Sequence, residues 1–169
     1  DSENTLKRTV IRPWPVQDDH KIPFVPAIKM KIDGGSLLFI SGMGALPPVH
    51  RHPHVPEEWI LPEDPAEQAR RALDKIRAIV EKAGGEFKNI VKITRYLKNI
   101  TEQDKVNEVI YDYFGDNLPC STTVQVSAFV VPTMKIEIDA WAVIPERKVR
   151  ARSAPSKVAR KVARGRRLR

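Results

Sequence analysis

The chain is poor in cysteine and in long apolar runs, and each shortage excludes a class of structure. Its single cysteine, Cys120, cannot form an intramolecular disulfide, which suits a reducing compartment. No apolar run approaches the ~20 residues that a membrane-spanning helix requires, so we expect no membrane span. We expect an intracellular protein, either cytoplasmic or, because the chain begins at Asp1 rather than Met, mitochondrial after removal of a transit peptide.

Acidic residues are almost absent from the C-terminal end, where basic residues are dense. Residues 146–169 hold eleven of the 29 Lys and Arg residues and one acid, a charge of +10, so residues 1–145 carry −2 of the total of +8. This pattern is typical of a protein that binds a polyanion, because each neutralised phosphate releases a condensed counterion. The candidate RNA-binding residues are Arg147, Lys148, Arg150, Arg152, Lys157, Arg160, Lys161, Arg164, Arg166, Arg167 and Arg169.

The partner of this basic tail has three interpretations. RNA is the first, an anionic membrane surface is the second, and a tail that serves only solubility is the third. No aromatic residue follows Trp141, so contacts with RNA would be made to phosphates and would be largely indifferent to base sequence. The tail also lacks the broad apolar face of a membrane-surface helix, which disfavours the second interpretation.

The composition, with 41% hydrophobic residues, predicts one domain with appendages. Residues 1–22 form a polar, proline-containing arm that we expect to be extended or an edge strand, residues 23–145 form the domain, and residues 146–169 form the basic tail. The predicted domain elements are strands Phe24–Ile32 and Ser36–Ser41, a helix from Asp64 with Glu67 in a capping box to Gly84, strand Asn89–Leu97, a helix from about Thr101 to Gly115, and strands Thr122–Phe129 and Met134–Ile144. This order predicts an α+β domain with both helices on one face of a mixed sheet.

Several segments resemble, in order and spacing, the Rid (YjgF-like) family, which is also labelled endoribonuclease L-PSP. They are ISGMGALPP, QARRALDKIRAIVEKAGG, IVKITRYLKNI, KVNEVIYDYFGDNLP, STTVQV and MKIEIDAWAVIP, between about Pro23 and Pro145. The resemblance implies a chorismate-mutase-like fold that assembles into trimers, of identical or different chains, with clefts at the subunit interfaces. It implies no cofactor.

Active members of the Rid family hydrolyse reactive imines and enamines to keto acids and ammonia, and an arginine binds the substrate carboxylate. That arginine lies in a Pro-Ala-Arg-Ser-Thr-Val-like segment, whereas the chain has Pro119-Cys120-Ser121-Thr122-Thr123-Val124, with Ser121 in the arginine's place. A serine hydroxyl supplies neither a fixed charge nor a bidentate fork. For a carboxylate-bearing substrate the loss corresponds to ~2–5 kcal/mol, or ~30-fold to several thousand-fold in rate.

Other cleft positions of the family are retained or changed in a milder way. The resemblance implies that Glu137 orients the attacking water and that Asn107 and the Ser41-Gly42 turn belong to the cleft, together with Thr123. Phe24 stands where an aromatic hydroxyl is often found. Arg95, on strand Asn89–Leu97, is an alternative carboxylate-binding residue, although alternation along a strand is equally compatible with a side chain that faces solvent.

The histidine-rich segment His50-Arg51-His52-Pro53-His54 invites comparison with a metal site. No distant ligand at a recognisable spacing accompanies it, so we expect a proline-rich surface loop and no metal. We find no pair of histidines that the sequence arranges with a lysine for RNA cleavage. No Lys, Arg or His adjoins Cys120 in the sequence to activate its thiol, and we expect it to have a structural or bystander role.

Two functions from different classes fit these observations. The first is a non-catalytic structural subunit of a ribonucleoprotein, such as an organellar or mitochondrial ribosome, in which the tail binds RNA among other protein subunits. The second is an imine or enamine deaminase, of the 2-aminomuconate type, with a remodelled pocket. Ser121 and the tail favour the first, whereas Glu137 and Asn107 favour the second, and the sequence as a whole favours the first.

Overall fold

The computed structural model describes residues 7–15, 23–51 and 53–146. The helices and strands are β1 (Arg8–Ile11), β2 (Ala27–Ile32), β3 (Gly35–Met43), α1 (Pro65–Lys82), β4 (Ile90–Leu97), α2 (Gln103–Phe114), β5 (Cys120–Gln125) and β6 (Ile136–Pro145). The predicted RNA-binding residues, from Arg147 to Arg169, lie outside the described residues, so the role of the tail stays a prediction.

The strands form one mixed sheet with the order β1-β2-β3-β6-β4-β5. The β4–β5 pair is parallel, whereas the other neighbouring pairs are antiparallel. β2 and β3 form the predicted hairpin, with Gly34 at a φ of +76° in the turn. β1 pairs with β2 at the edge of the sheet, so residues 8–11 take the edge-strand form that was one of the two expectations for the N-terminal arm.

Both helices pack on one face of the sheet, as predicted. Along β6 the odd-numbered positions from Glu137 to Val143 are exposed or half-buried, and the intervening side chains are buried. The hydrophobic core therefore lies between the helices and one face of the sheet, where it includes Leu38, Ile40, Leu73, Ile76, Val80, Ile93, Ile138 and Ala140. This arrangement confirms the α+β fold class.

The other face of the sheet exposes large apolar side chains in the described structure. Phe39 and Trp141 meet edge to face, with their ring centroids 5.2 Å apart. Trp141 is 53% exposed and Val143 is 41% exposed. Burial of such a surface against another subunit would be favourable, because it removes apolar area from water.

The predicted ends of several elements were wrong. α1 begins as expected, with the side chain of Asp64 accepting a hydrogen bond from the Ala66 backbone N–H, but Glu67 pairs with Arg71 instead of forming a capping box. A single 3₁₀ turn, Ile100–Glu102, precedes α2, which begins at Gln103. β5 stops at Gln125 and β6 starts at Ile136, because residues 126–135 form a loop. Within the described residues, no helix is long and apolar enough to cross a membrane.

Candidate functional site

A pocket of about 560 Å³ opens where β3 ends and β6 begins. We call it the Glu137 pocket. The segment after β1, the segment before β2, the start of the 44–61 loop and one side chain of α1 form its walls. Its polar and aromatic lining residues include Arg12, Trp14, Phe24, Ser41, His50, His54, Lys75 and Glu137.

Glu137 reaches the pocket through an irregularity in the sheet. The register between β3 and β6 shifts between Ile40 and Met43, which places the Gly42 backbone beside the Glu137 side chain. A Cβ atom built on Gly42 would lie 2.1 Å from Glu137 Oε1, so only glycine leaves room for the carboxylate. Burial raises the pKa of Glu137, and the neighbouring Asp139 carboxylate raises it further.

Ser41 fixes the wall opposite this carboxylate. Its Oγ donates a hydrogen bond to the Val25 carbonyl oxygen, at 2.7 Å, and its backbone N–H donates to the Pro26 carbonyl at 2.9 Å. These two bonds hold the segment that carries Phe24 against the end of β3. Phe24 is 47% exposed, so it forms an apolar rim rather than a core contact.

Lys75 brings a cation from α1 into the same pocket. Its Nζ donates a hydrogen bond to the Leu46 carbonyl oxygen at 2.7 Å. Burial lowers the pKa of Lys75 to about 8, although the attraction of the Glu137 carboxylate opposes that change. The sequence analysis missed Lys75, and the only signal for it was its place on α1 between the buried residues Leu73 and Ile76.

Two histidines of the histidine-rich loop also line the pocket. The rings of His50 and His54 stack with their centroids 5.2 Å apart, and His50 Nδ1 lies 2.8 Å from the Pro47 carbonyl oxygen. Burial lowers the pKa of His50, and His54 and Lys75 lower it further. His50, His54 and Lys75 therefore line one pocket, a proximity that the sequence did not predict.

A metal site is not evident in the described part of the chain, which leaves out His52. There, no group of three or more His, Cys, Asp or Glu side chains is placed to hold a metal ion. Cys120 is exposed at the start of β5. The pocket brings the Glu137 carboxylate together with the basic groups of Arg12, His50, His54 and Lys75.

The segment after β1 contributes two further lining residues that the sequence analysis did not assign to a site, Arg12 and Trp14. Trp14 packs partly against the core of the chain. Trp59 packs against a small cluster of Leu46, Val131 and Met134.

The predicted cleft residues separate into two groups. Phe24, Ser41, Gly42 and Glu137 converge on the Glu137 pocket. Asn107, Ser121 and Thr123 lie elsewhere, on α2 and on the edge strand β5. We call this second group, together with Arg95, the β5 edge site.

The register of the sheet shows why the two groups do not meet within one chain. Arg95 is opposite Thr123 on β5 and Ile138 on β6, so its side chain points to the helix face, whereas Glu137 is opposite Tyr96 on the other face. Arg95 is 9% exposed, and its Nη1 donates a hydrogen bond to Asn107 Oδ1 at 2.6 Å. The solvent-facing alternative for Arg95 was therefore wrong.

The sequence of the chain matches a known protein family over most of its length. The family model described as Endoribonuclease L-PSP matches residues 19–144. The chain belongs to that family. The resemblance to Rid proteins stated from the sequence is thereby confirmed, and the solved structures of the family confirm the fold.

Family relatives carry names that refer to imine chemistry as well as names that do not. A RutC family protein of Pyrococcus abyssi is 33% identical over 120 residues, which cover 71% of this chain and 85% of that protein. A rat protein named 2-iminobutanoate/2-iminopropanoate deaminase is 39% identical over 84 residues, or 50% of this chain and 61% of that protein.

Solved family structures superpose over most of the chain. A protein of unknown function from Pseudomonas aeruginosa gives a TM-score of 0.68 at 30% identity and covers 82% of this chain and 94% of its own. A Rid family protein from Yersinia pestis gives a TM-score of 0.64 at 27% identity, with coverages of 82% and 100%.

Proposed function

We propose that this protein hydrolyses a small reactive imine or enamine, with Glu137 as the general base. The observation that carries the proposal is the position of the Glu137 carboxylate, held against the Gly42 backbone inside a pocket that also contains Lys75. A carboxylate whose pKa is raised by burial is a stronger base than an exposed one. The names of relatives that act on imines support the same chemistry.

The reaction needs one water molecule and no redox partner. Glu137 accepts a proton from the water as the water oxygen bonds to the carbon of the protonated imine, which gives a neutral carbinolamine. The protonated Glu137 then returns that proton to the nitrogen, and as the carbon–nitrogen bond breaks the Glu137 carboxylate accepts the hydroxyl proton, so that the carbonyl forms and ammonia leaves. That last proton passes to the ammonia, which departs as ammonium, and Glu137 is ionised again. An enamine enters the same sequence after its β-carbon takes up a proton.

The other groups of the Glu137 pocket fit this sequence. Lys75, when protonated, attracts the carboxylate and favours the ionised, basic form of Glu137. The aromatic side chains of Phe24 and Trp14 supply apolar walls. A partly apolar pocket protects a short-lived imine from bulk water and strengthens the electrostatic interactions inside it.

A complete site requires more than one copy of the chain. The side chains of Glu137 and Arg95 leave the sheet on opposite faces, so a neighbouring subunit would have to bring the Glu137 pocket and a β5 edge site together. The exposed apolar face around Phe39 and Trp141 supplies a surface for such an assembly. We therefore propose that the active form is an oligomer, with the trimer implied by the resemblance as the expected state.

The test is imine hydrolysis by the full chain. An amino-acid oxidase generates a 2-imino acid in the presence of semicarbazide, and the enzyme competes with the trapping reaction. We expect the wild-type chain to lower the yield of the trapped product and the Glu137→Gln variant to leave that yield unchanged. Equal yields with the wild type, with the variant and without protein would overturn the proposal.

The basic tail supports a second candidate function, RNA binding as a subunit of a ribonucleoprotein. The observation that favours it is the sequence alone, in which residues 146–169 carry a charge of +10 on a near-neutral body. If six to eight phosphates are bound, affinity should fall by ~10³-fold to ~10⁴-fold between ~50 and ~200 mM salt. The comparison is between the full chain and a chain that ends at Glu146, which keeps β6 and the ion pair between Glu146 and Lys31.

Strong, salt-dependent binding that the shortened chain lacks would support this second function. Equal binding by both chains, or no binding at low salt, would overturn it. The two functions are independent, because the shortened chain retains every residue of the Glu137 pocket and of the β5 edge site.

A further inference from the structure

We infer that Arg95 and Asn107 form a carboxylate-binding site at the β5 edge. In this site Arg95 takes the role of the family arginine whose position Ser121 occupies. The ligand class is a small 2-imino or 2-oxo acid, and this choice of ligand rests on the proposed function. The site is built around one guanidinium group, that of Arg95.

The positive charge of Arg95 is buried without a carboxylate partner among the described residues. The described ion pairs are made by other basic residues. Asp104 accepts a hydrogen bond from Asn107 Nδ2 at 3.4 Å and forms no described ion pair with the guanidinium. A buried, uncompensated charge is costly to the folded state. Such a residue is typical of a site whose counter-charge arrives with a ligand.

The hydrogen bonds of Arg95 also leave one of its donors without a partner in the described structure. Nη1 donates to Asn107 Oδ1, whereas Nε is buried and has no hydrogen-bond partner. A guanidinium binds a carboxylate through two parallel N–H groups, and Nε contributes to one of the favoured pairs. Asn107 fixes the plane of the guanidinium and leaves the Nε side for a ligand.

The position of Arg95 in the sheet fits the replacement. Ser121 and Thr123 are in register with Ile93 and Arg95 on the neighbouring parallel strand, so the four side chains share the helix face of the sheet. Ser121 is exposed, and its side chain is much smaller than the arginine of the family. A cation on β4 thus stands one strand away from the position where the family carries it on β5.

A purely structural role, in which Arg95 only ties β4 to α2, predicts different behaviour. Loss of the side chain would then destabilise the protein and would leave ligand binding alone once the protein is folded. A ligand site predicts that loss of the side chain weakens ligand binding without lowering stability. Removal of an uncompensated buried charge takes away a desolvation cost of the ligand-free protein and, at the same time, the group that binds the ligand.

The experiment measures binding of 2-oxobutanoate to the full chain by calorimetry and thermal unfolding of the ligand-free chains. We expect Arg95→Met to weaken binding by ~30-fold or more and to unfold at a temperature no lower than the wild type. Arg95→Lys, which keeps the charge but loses the fork, should bind with an intermediate affinity. Arg70→Met, which removes an exposed arginine paired with Asp112, is the matched control and should bind like the wild type.

Unchanged binding in Arg95→Met, loss of binding only in Lys75→Met, or no binding by the wild type would overturn the inference. Failure of the proposed function is distinguishable from these outcomes. If the wild-type chain binds 2-oxobutanoate through Arg95 but hydrolyses no imine, the inferred carboxylate site is supported and the proposed activity is rejected. If Arg95→Met hydrolyses imines as well as the wild type does, the proposed activity is supported and the inferred site is rejected.

Discussion

The carboxylate of Glu137 packs directly against the backbone of Gly42, in a space that no side chain could share. The contact exists because the β3–β6 register slips after Ile40, so that the end of β3 curves past the first residues of β6. Register irregularities of this kind, such as β-bulges, re-aim side chains and are common beside active sites. Here it directs Glu137 toward the pocket.

Replacement of Gly42 by alanine should therefore displace Glu137 rather than distort the whole fold. The added Cβ would lie 2.1 Å from Oε1 and 2.7 Å from Cδ of Glu137, and a side chain can rotate away where a backbone could not. We expect imine hydrolysis to fall by ~10-fold to ~100-fold, because a misplaced base costs orientation. Competition with semicarbazide measures the change.

Gly44→Ala is a suitable comparison for Gly42→Ala. Its Cβ would meet the Cε end of Met134 at 2.4 Å and leave Glu137 untouched. We expect a loss of stability with a smaller loss of activity. If both alanine variants lose the same activity, displacement of Glu137 is not the cause.

Glu137→Gln should abolish hydrolysis and at the same time stabilise the protein at neutral pH. Because burial raises the pKa of Glu137, the folded state binds more protons than the unfolded state just above the ordinary pKa of 4.5. The ionised form is therefore destabilising above that range, and protonation removes the cost as the pH falls. Urea unfolding at pH 7 and at pH 4 should show a gain for the variant at pH 7 that shrinks at pH 4.

The sequence predicted the fold well because the fold depends on local signals. The Asp64 cap, the helical spacing of Leu73, Ile76 and Val80, and alternation along the strands are legible without tertiary contacts. The site was predicted less completely. Lys75 reaches the pocket only because α1 crosses the end of β3 at that point.

The orientation of Arg95 shows the limit most clearly. A strand presents alternate residues to opposite faces, and the sequence leaves open which set faces the helices when a charged residue falls among them. The pairing of Arg95 with Thr123 on one side and Ile138 on the other decides it. That register is a property of the whole sheet, which local patterns do not encode.

Lys75 should make stability rise with pH above about 8. Because burial lowers the pKa of Lys75 from 10.5 to about 8, the folded state binds fewer protons than the unfolded state between these values. The unfolding free energy therefore increases across this window, by at most about 3 kcal/mol, and by less because the half-buried side chain is partly screened by water. Denaturant unfolding at pH 7.5 and 10 should show the slope in the wild type and not in Lys75→Met.

Lys82→Met is the control for this slope, because Lys82 lies exposed in the last turn of the same helix. The slope should persist in that variant. The slope of the Lys75→Met variant is first subtracted from that of the wild type. If the remaining unfolding free energy is flat or falls between the lower and the higher pH of this measurement, the prediction is contradicted.

An arginine placed at position 121 should rescue the loss of Arg95. Ser121 shares a face with Arg95 on the adjacent strand, so Ser121→Arg in the Arg95→Met background returns a guanidinium to the same neighbourhood. We expect the double variant to recover most of the affinity for 2-oxobutanoate that Arg95→Met loses, because a bidentate contact is restored. Ser121→Lys in the same background should recover less. Equal affinities of the single and double variants would show that the two positions do not serve one ligand.

Gln68 should be the most sensitive polar residue around the pocket. It is fully buried, its Nε2 donates to the carbonyl oxygens of Pro62 and Thr133, and its Oε1 accepts from the Lys135 backbone N–H. These bonds fasten the segment that directly precedes α1 and the 126–135 loop to α1. Gln68→Leu keeps the volume roughly but removes the side-chain partner of three partly buried backbone groups, which should cost about 2–4 kcal/mol of unfolding free energy. Urea unfolding of this variant beside Gln103→Leu, which changes an exposed glutamine at the start of α2, measures the cost, and equal effects of the two substitutions would contradict the role of Gln68.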